Sequence, residues 1–291
     1  MKPAPFTYHD PRTVAEACDL LASRDNARVL AGGQSLMPMM NFRAVTPDHL
    51  IDLNRIGDLG HLRFEGDALR IGAMTRQREL EHSDEVGRRC PVLRAALRHV
   101  GHRQTRNRGT LGGSLCHLDP SAELANVTAL LGGTLHAVSA RGKRDIPFAE
   151  FAVGLLTTSL APDELLAGVT LPLPQPGHGH AFVEFARRHG DFAVLACSAL
   201  LRLDARGAIA DAAIALSGLS HAPVRPAGIE RALRGQKPDA AAFKAAAAEA
   251  GKLDAAGDPF ASAGYRRHLA RVLTYRALEQ AAVRARERAN A

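Results

Sequence analysis

The chain has 291 residues, 46% hydrophobic and 23% charged, the balance of a globular protein long enough to bury two or three subdomains. Lys plus Arg number 37 against 30 Asp plus Glu, a net charge of +7, but the basic residues are scattered, Trp is absent and only three Tyr occur, which argues against a nucleic-acid partner. The opening MKPAPFTYHDPR lacks the apolar core of a signal peptide, and the longest apolar segment, residues 192–201, is half of a membrane span, so the expectation is a cytoplasmic protein with no membrane span.

In chain order, Asp10 followed by Pro11 predicts a helix start, with Val14, Cys18 and Leu21 on one face. Residues 27–33 read as a buried strand ending in a glycine pair and residues 49–53 as a second strand, so a helix between strands implies a small βαβ unit. Residues 62–73 alternate on both sides of EGD, a hairpin signal. A helix is expected from Pro91 to about Val100, a strand at the start of TLGGSLCH, a helix over residues 121–131 and a second hairpin over residues 134–146. The Pro- and Gly-rich run 171–180 is the candidate domain boundary. Beyond it, HAFVEFARR (residues 180–188) and residues 191–219 suggest strands, the latter joined at the turn DARG, followed by helices over residues 240–250 and from Tyr265 to about Arg286.

Cys18, Cys90, Cys116 and Cys197 are far apart in sequence, with no CxxC and no His at ligand spacing, so neither zinc nor a protein-held iron–sulfur cluster is expected. The His pairs of HVGH (His99, His102) and GHGH (His178, His180) lack a nearby third ligand and read as solvated or hydrogen-bonded imidazoles. No acid–base pair or nucleophile–base constellation stands out, so no catalytic side chain is assigned.

Two glycine pairs carry the chemistry. AGGQS and TLGGS both couple Gly-Gly to a following hydroxyl. Backbone without Cβ lets an anion reach N–H groups, and a hydroxyl adds a donor without charge. Neither GxxxxGK[ST] nor GxGxxG is present, so a P-loop and a Rossmann dinucleotide site are unsupported. A nucleotide diphosphate held between two loops remains.

The segments AGGQSLMPMMNFR, TLGGSLCHLDPSAEL, TTSLAPDELLAGVTLPLP and FARRHGDFAVL occur here in an order that resembles the FAD-binding medium subunit of molybdenum hydroxylases, the family of aerobic carbon monoxide dehydrogenase and xanthine dehydrogenase. The resemblance covers nearly the whole chain. It implies an α+β protein, with an FAD-binding domain of the vanillyl-alcohol oxidase and p-cresol methylhydroxylase type at residues 1–175. Two α/β subdomains, about 1–55 and 56–175, would form that domain, and a smaller C-terminal α+β domain of the carbon monoxide dehydrogenase flavoprotein type would span residues 176–291. The first loop maps onto Leu30, Ala31, Gly32, Gly33, Gln34, Ser35 and Leu36, the second onto Thr110, Leu111, Gly112, Gly113 and Ser114, and both are then expected to hold the FAD pyrophosphate. Glu123 stands where related sequences place an acidic residue near the cofactor, and Leu166 where an apolar side chain packs against the flavin. By themselves, Glu123 also fits a first-turn helix carboxylate and Leu166 plain core. Arg187, Arg188 and Asp191 match a family segment with no assigned role.

The resemblance further implies an electron-transfer subunit, partnered by a large molybdenum-cofactor subunit and a small [2Fe–2S] subunit in a heterotrimer that dimerises, with quinone, oxygen or NAD as acceptor. A stand-alone flavin oxidoreductase of the same fold, such as an oxidase or an enolpyruvyl reductase, is the alternative, and a non-enzymatic nucleotide-binding scaffold is the third reading. The oxidised substrate is chosen in another polypeptide and is not written in this sequence.

Overall fold

The computed structural model describes residues 1–289. In chain order the elements are β1 (Thr7–His9), α1 (Val14–Ser23), β2 (Ala27–Leu30), α2 (Leu36–Asn41), β3 (His49–Asp52), β4 (Leu62–Glu65), β5 (Ala68–Gly72), α3 (Gln77–His82), α4 (Asp84–Arg89), α5 (Pro91–Leu97), α6 (Arg103–Arg108), α7 (Leu111–His117), α8 (Glu123–Leu131), β6 (Thr134–Ser139), β7 (Gly142–Pro147), α9 (Phe148–Phe151), β8 (Ala152–Gly154), β9 (Thr157–Thr158), β10 (Leu165–Pro172), β11 (Gly179–Phe185), β12 (Leu195–Leu203), β13 (Ile209–Ser217), α10 (Ala227–Leu233), α11 (Ala240–Ala250) and α12 (Ala263–Ala289). They divide into two compact units. One takes Met1–His82, His102–Leu118 and Gly132–Pro172; the other takes Ser83–Gly101, Asp119–Leu131 and the chain from Leu173 on.

The first unit holds two main sheets. β1 and β2 both pair parallel with β3, giving the order β1-β3-β2, and α1 crosses between β1 and β2. α1 starts at Thr13 rather than at Asp10: the Thr13 hydroxyl accepts from Glu16 N at 3.1 Å, and the Glu16 carboxylate returns to accept from Arg12 N at 2.7 Å. The Thr13 hydroxyl thus takes up one orphan amide of the first turn, while Asp10 is drawn instead into an ion pair with Arg55 at 3.0 Å. Ala17, Cys18 and Leu21 of α1 pack with Ile51 and Leu53 in one buried cluster. The second sheet, β4-β5-β10-β6-β7, is antiparallel throughout and contains both hairpins expected from the alternation. Its central strand β10 lies in a segment that the sequence left unassigned.

In the second unit, β11, β12 and β13 form an antiparallel sheet in that order. β12 is buried over residues 195–201, and its alternate side chains serve different layers. Cys197 Sγ lies 3.8 Å from Thr274 Oγ1 of α12, while Ser198 points to α8, where its hydroxyl donates to Asn126 Oδ1. Asn126, fully buried, also donates to Ser217 Oγ at 2.9 Å and to Ala215 O at 3.2 Å. Asn126→Leu removes the partners of two buried hydroxyls while keeping volume, so it should cost about 2–4 kcal/mol. Urea unfolding checks this, and a change within about 0.5 kcal/mol, the scatter of a surface substitution, would show that the network is dispensable. No helix among the described residues is long and apolar enough to cross a membrane.

Candidate functional site

The first glycine segment leaves β2 at its C-terminal end and enters α2, so its backbone is held by a strand on one side and a helical turn on the other. Gly33 adopts φ +72°, in the left-handed region. The N–H groups of Gly32, Gly33, Gln34, Ser35 and Leu36 have no acceptor among the described residues, and the Ser35 hydroxyl makes no capping bond to α2. Pro38 falls in the first turn of α2, where its missing N–H costs no helical bond. The result is a run of successive amide donors, without side chains at Gly32 and Gly33, that no group among the described residues takes up, and unpaired successive amides are a backbone arrangement that can take an anion.

The second segment is a helix, not the expected strand. Thr110 caps α7 through its hydroxyl, which accepts from Gly113 N at 3.0 Å. Leu111 N donates to Thr75 O at 3.1 Å, Gly112 N to Ala73 O at 2.9 Å and Ser114 N to Thr110 O at 3.2 Å. All four first-turn amides are therefore consumed within the chain, and the expectation that both glycine pairs offer amide donors holds for the first pair alone. Gly112 has a packing role instead: a Cβ there would lie 2.6 Å from Ala73 Cβ and 2.7 Å from Ala73 O. What the second segment offers is the Ser114 hydroxyl, half-buried and without a hydrogen bond in the described residues, and the bare side of Gly113.

The structure brings the two segments together. A Cβ at Gly113 would lie 3.5 Å from Ala31 Cβ, and one at Gly32 would lie 2.2 Å from Arg108 O and 2.9 Å from Gly109 Cα. No residue but glycine fits position 32 at this separation. Leu166, 3% exposed, sits in β10 opposite Ala137, one residue before Ala167, whose carbonyl accepts from Ala73 N. Ala73 O in turn accepts from Gly112 N, so Leu166 lies on the strand that anchors the start of α7.

Glu123 opens α8 in the second unit and is 5% exposed. Burial pushes its carboxyl up to about 7; its own N–H and nearby His99 oppose the rise, and Glu184 and Asp119 add to it. His99 Nδ1 is 3.1 Å from Glu184 Oε1, and that hydrogen bond raises the imidazole above its ordinary pKa. Glu184 Oε2 is buried without a partner beside a cavity of about 180 Å³ lined by His99, Glu184, Ala186, Arg188, His189 and Gly190. Arg188 pairs with Asp191 at 3.1 Å on the exposed rim. The four cysteines are free, and no group of three or more His, Cys, Asp or Glu among the described residues is arranged to hold a metal.

Sequence reasoning missed the residues that brace the loops. Asp52, at the C-terminal end of β3, accepts from Tyr8 Oη at 2.7 Å and from Asn54 N at 2.8 Å, and Asn54 Nδ2 donates to Ala31 O at 3.0 Å. Arg76 donates to both Asn54 Oδ1 and Arg108 O. The signal for Asp52 and Asn54 was present in DLN at the end of a strand, where strand ends and Asx turns gather polar groups. Arg76 carried none.

FAD carries a diphosphate, and the residues present fit one at the first segment: successive amides and a hydroxyl without partners among the described residues, and a Gly32 whose Cβ would strike Arg108 O. Residues 4–174 match the family model described as the FAD binding domain in molybdopterin dehydrogenase, and residues 180–281 match the CO dehydrogenase flavoprotein C-terminal domain. The chain is 38% identical over 288 residues to the 6-hydroxypseudooxynicotine dehydrogenase complex subunit alpha of Paenarthrobacter nicotinovorans, covering 98% of this chain and 97% of that one. It is 35% identical to the carbon monoxide dehydrogenase medium chain of Afipia carboxidovorans, covering 98% of this chain and all of the other. The solved carbon monoxide dehydrogenase of Hydrogenophaga pseudoflava that lacks the Mo-pyranopterin moiety contains a chain that superimposes with a TM-score of 0.94 at 35% identity, over 98% of this chain and 99% of that one. This protein belongs to the family of FAD-binding medium subunits of molybdenum hydroxylases, with FAD as its cofactor and an oxidoreductase as its class.

Proposed function

We propose that this subunit passes electrons from the [2Fe–2S] clusters of a small partner subunit to an external acceptor, quinone, oxygen or NAD, while a large molybdenum-cofactor subunit oxidises the substrate. The assembly is a heterotrimer that dimerises, and it works in the cytoplasm. In this reading residues 1–175 are the FAD-binding domain, with subdomains at about 1–55 and 56–175, and residues 176–291 are the C-terminal domain. FAD, when bound, supplies the exchange between single-electron donors and a two-electron acceptor. The chain's own residues position it. Leu30 to Leu36 present amides and the Ser35 hydroxyl to the pyrophosphate; Thr110, Leu111, Gly112 and Gly113 set the second wall, and Ser114 adds a hydroxyl. Leu166 gives apolar contact to the ring, and Glu123 provides a carboxyl whose pKa burial pushes up to about 7. No side chain is assigned to bond-making.

The observation that supports this reading is the uncommitted amide run at Gly32 to Leu36, in a family whose model is an FAD-binding domain. The test mixes substrate with the assembled complex, holo and FAD-depleted, in stopped-flow absorbance. Substrate should still reduce the clusters without FAD, while turnover with the acceptor falls by at least about tenfold, since the electron exit is gone. Cluster reduction that vanishes with FAD, or flavin reduction by organic substrate in this chain alone, would overturn the relay in favour of a stand-alone flavin oxidoreductase.

A further inference from the structure

Neither glycine segment contains a cation: residues 30–36 and 110–114 hold no Lys or Arg, although a diphosphate brings two negative charges. Arg76 stands where that charge is missing. Its main chain pairs with Thr110 in an isolated antiparallel bridge, flanked by Gln77 N donating to Gly109 O at 2.9 Å and Leu111 N to Thr75 O at 3.1 Å. Its side chain turns toward the first segment. One terminal nitrogen donates to Arg108 O, the atom that a Cβ on Gly32 would strike, and the other donates to Asn54 Oδ1, while Asn54 Nδ2 holds Ala31 O.

The guanidinium is half-buried, and the partners of its side chain among the described residues are a carbonyl and an amide oxygen, not a carboxylate. Burial lowers its pKa first and Arg108 lowers it further, while Glu79 and Asp52 pull the other way from beyond ion-pair range. It keeps its proton at any ordinary pH. With five N–H donors and two neutral acceptors, it has donors to spare. A half-buried charge left without a counter-ion is costly unless an anion completes it.

We propose that Arg76 is the residue that locks the two glycine segments at their working separation and supplies the fixed positive charge for the diphosphate between them. This rests on the assignment of the cofactor to those segments. Arg76 is a positioning and charge-bearing residue, not a reacting one.

The experiment measures FAD affinity of the full chain by flavin fluorescence, at low and high NaCl, for wild type, Arg76→Met, Arg76→Lys, Arg78→Met and Gly33→Val. Arg78 is an exposed guanidinium hydrogen-bonded to Asn107 and controls for loss of one positive charge. Arg76→Met should weaken FAD by about tenfold or more and flatten the salt dependence, since a charge-assisted bond and its screening are both lost. Arg76→Lys should recover part of the loss at low salt, and Arg78→Met should bind as wild type. If Arg76→Met binds FAD as wild type while Gly33→Val does not, this inference fails and the cradle stands. If Arg76→Met weakens binding with the wild-type salt dependence and without rescue by Lys, Arg76 is only a brace and the charge role fails. If Gly33→Val also keeps FAD, the cradle itself is misplaced and the inference falls with it.

Discussion

Gly33→Val will purify with less than about a tenth of the wild-type flavin, whereas Gly207→Val will keep it; the difference isolates the cradle from backbone strain alone. Both glycines are left-handed, Gly33 at φ +72° and Gly207 at φ +78°. A β-branched residue in that region costs about 1–3 kcal/mol wherever it is placed. Gly207 sits in the β12–β13 turn with open space around it, so strain is the whole of its penalty. At Gly33 the added Cβ would meet Met37 Cγ at 3.2 Å and Leu30 Cδ1 at 3.3 Å, two flexible side-chain ends that can yield. Relief comes instead from rotating the peptide, and that changes the direction of the Gly33 and Gln34 amides, which have no acceptor in the chain. Each hydrogen bond to a charged partner is worth about 1.5–3 kcal/mol, so losing two weakens binding by two orders of magnitude or more. Gly113→Val should act by another route, because its Cβ would lie 2.8 Å from the Thr110 hydroxyl that caps α7. The measurement is flavin released on denaturation per chain. Equal flavin in the Gly33 and Gly207 variants would show that the Gly32–Leu36 amides do not hold the cofactor.

What the sequence revealed and what it hid follow from which signals are local. The hairpins at β4–β5 and β6–β7 were legible because period-two alternation and turn residues are decided within a few positions. The helix Ala240–Ala250 was legible because alanine favours it almost regardless of context. α7 was not, since two Gly in its first turn are poor helix material. The fold overrides that propensity with the Thr110 cap and with the close approach of Gly112 to Ala73, neither visible until residues 73 and 112 are neighbours. The same non-local logic concealed Arg76. Its value lies in touching Arg108 and Asn54, and nothing in GAMTRQ announces either contact. The glycine pairs look alike in sequence, yet one frees its amides and the other spends them, a distinction that belongs to hydrogen-bond accounting in three dimensions.

Glu123→Gln should stabilise the protein at pH 8 and leave it nearly unchanged at pH 4. The Glu123 carboxyl is pushed up from 4.5 to about 7, first by burial, then by Glu184 and Asp119, against the pull of its own N–H and of His99. Below pH 4 folded and unfolded chains both carry the proton, and the group contributes nothing to the pH dependence. As pH rises from 4.5 toward 7 the unfolded chain releases the proton while the folded one retains it, so stability falls through that window. Above pH 7 the folded carboxyl ionises too and the loss levels off at about 3 kcal/mol, from 1.36 kcal/mol per unit. Gln has the shape of the protonated acid and no charge to desolvate, so it escapes the loss. The variant should melt roughly 6–12 °C above wild type at pH 8, given about 2–4 °C per kcal/mol in a protein of this size. Calorimetry at pH 5 and pH 8 reads the effect, whose size must grow with pH. A variant that gains nothing between the two would mean that His99 and the local amides hold Glu123 ionised at neutral pH. A Glu123 that behaves as expected carries a proton at pH 7 about half the time, and can donate a hydrogen bond as well as accept one, which an ordinary surface glutamate cannot.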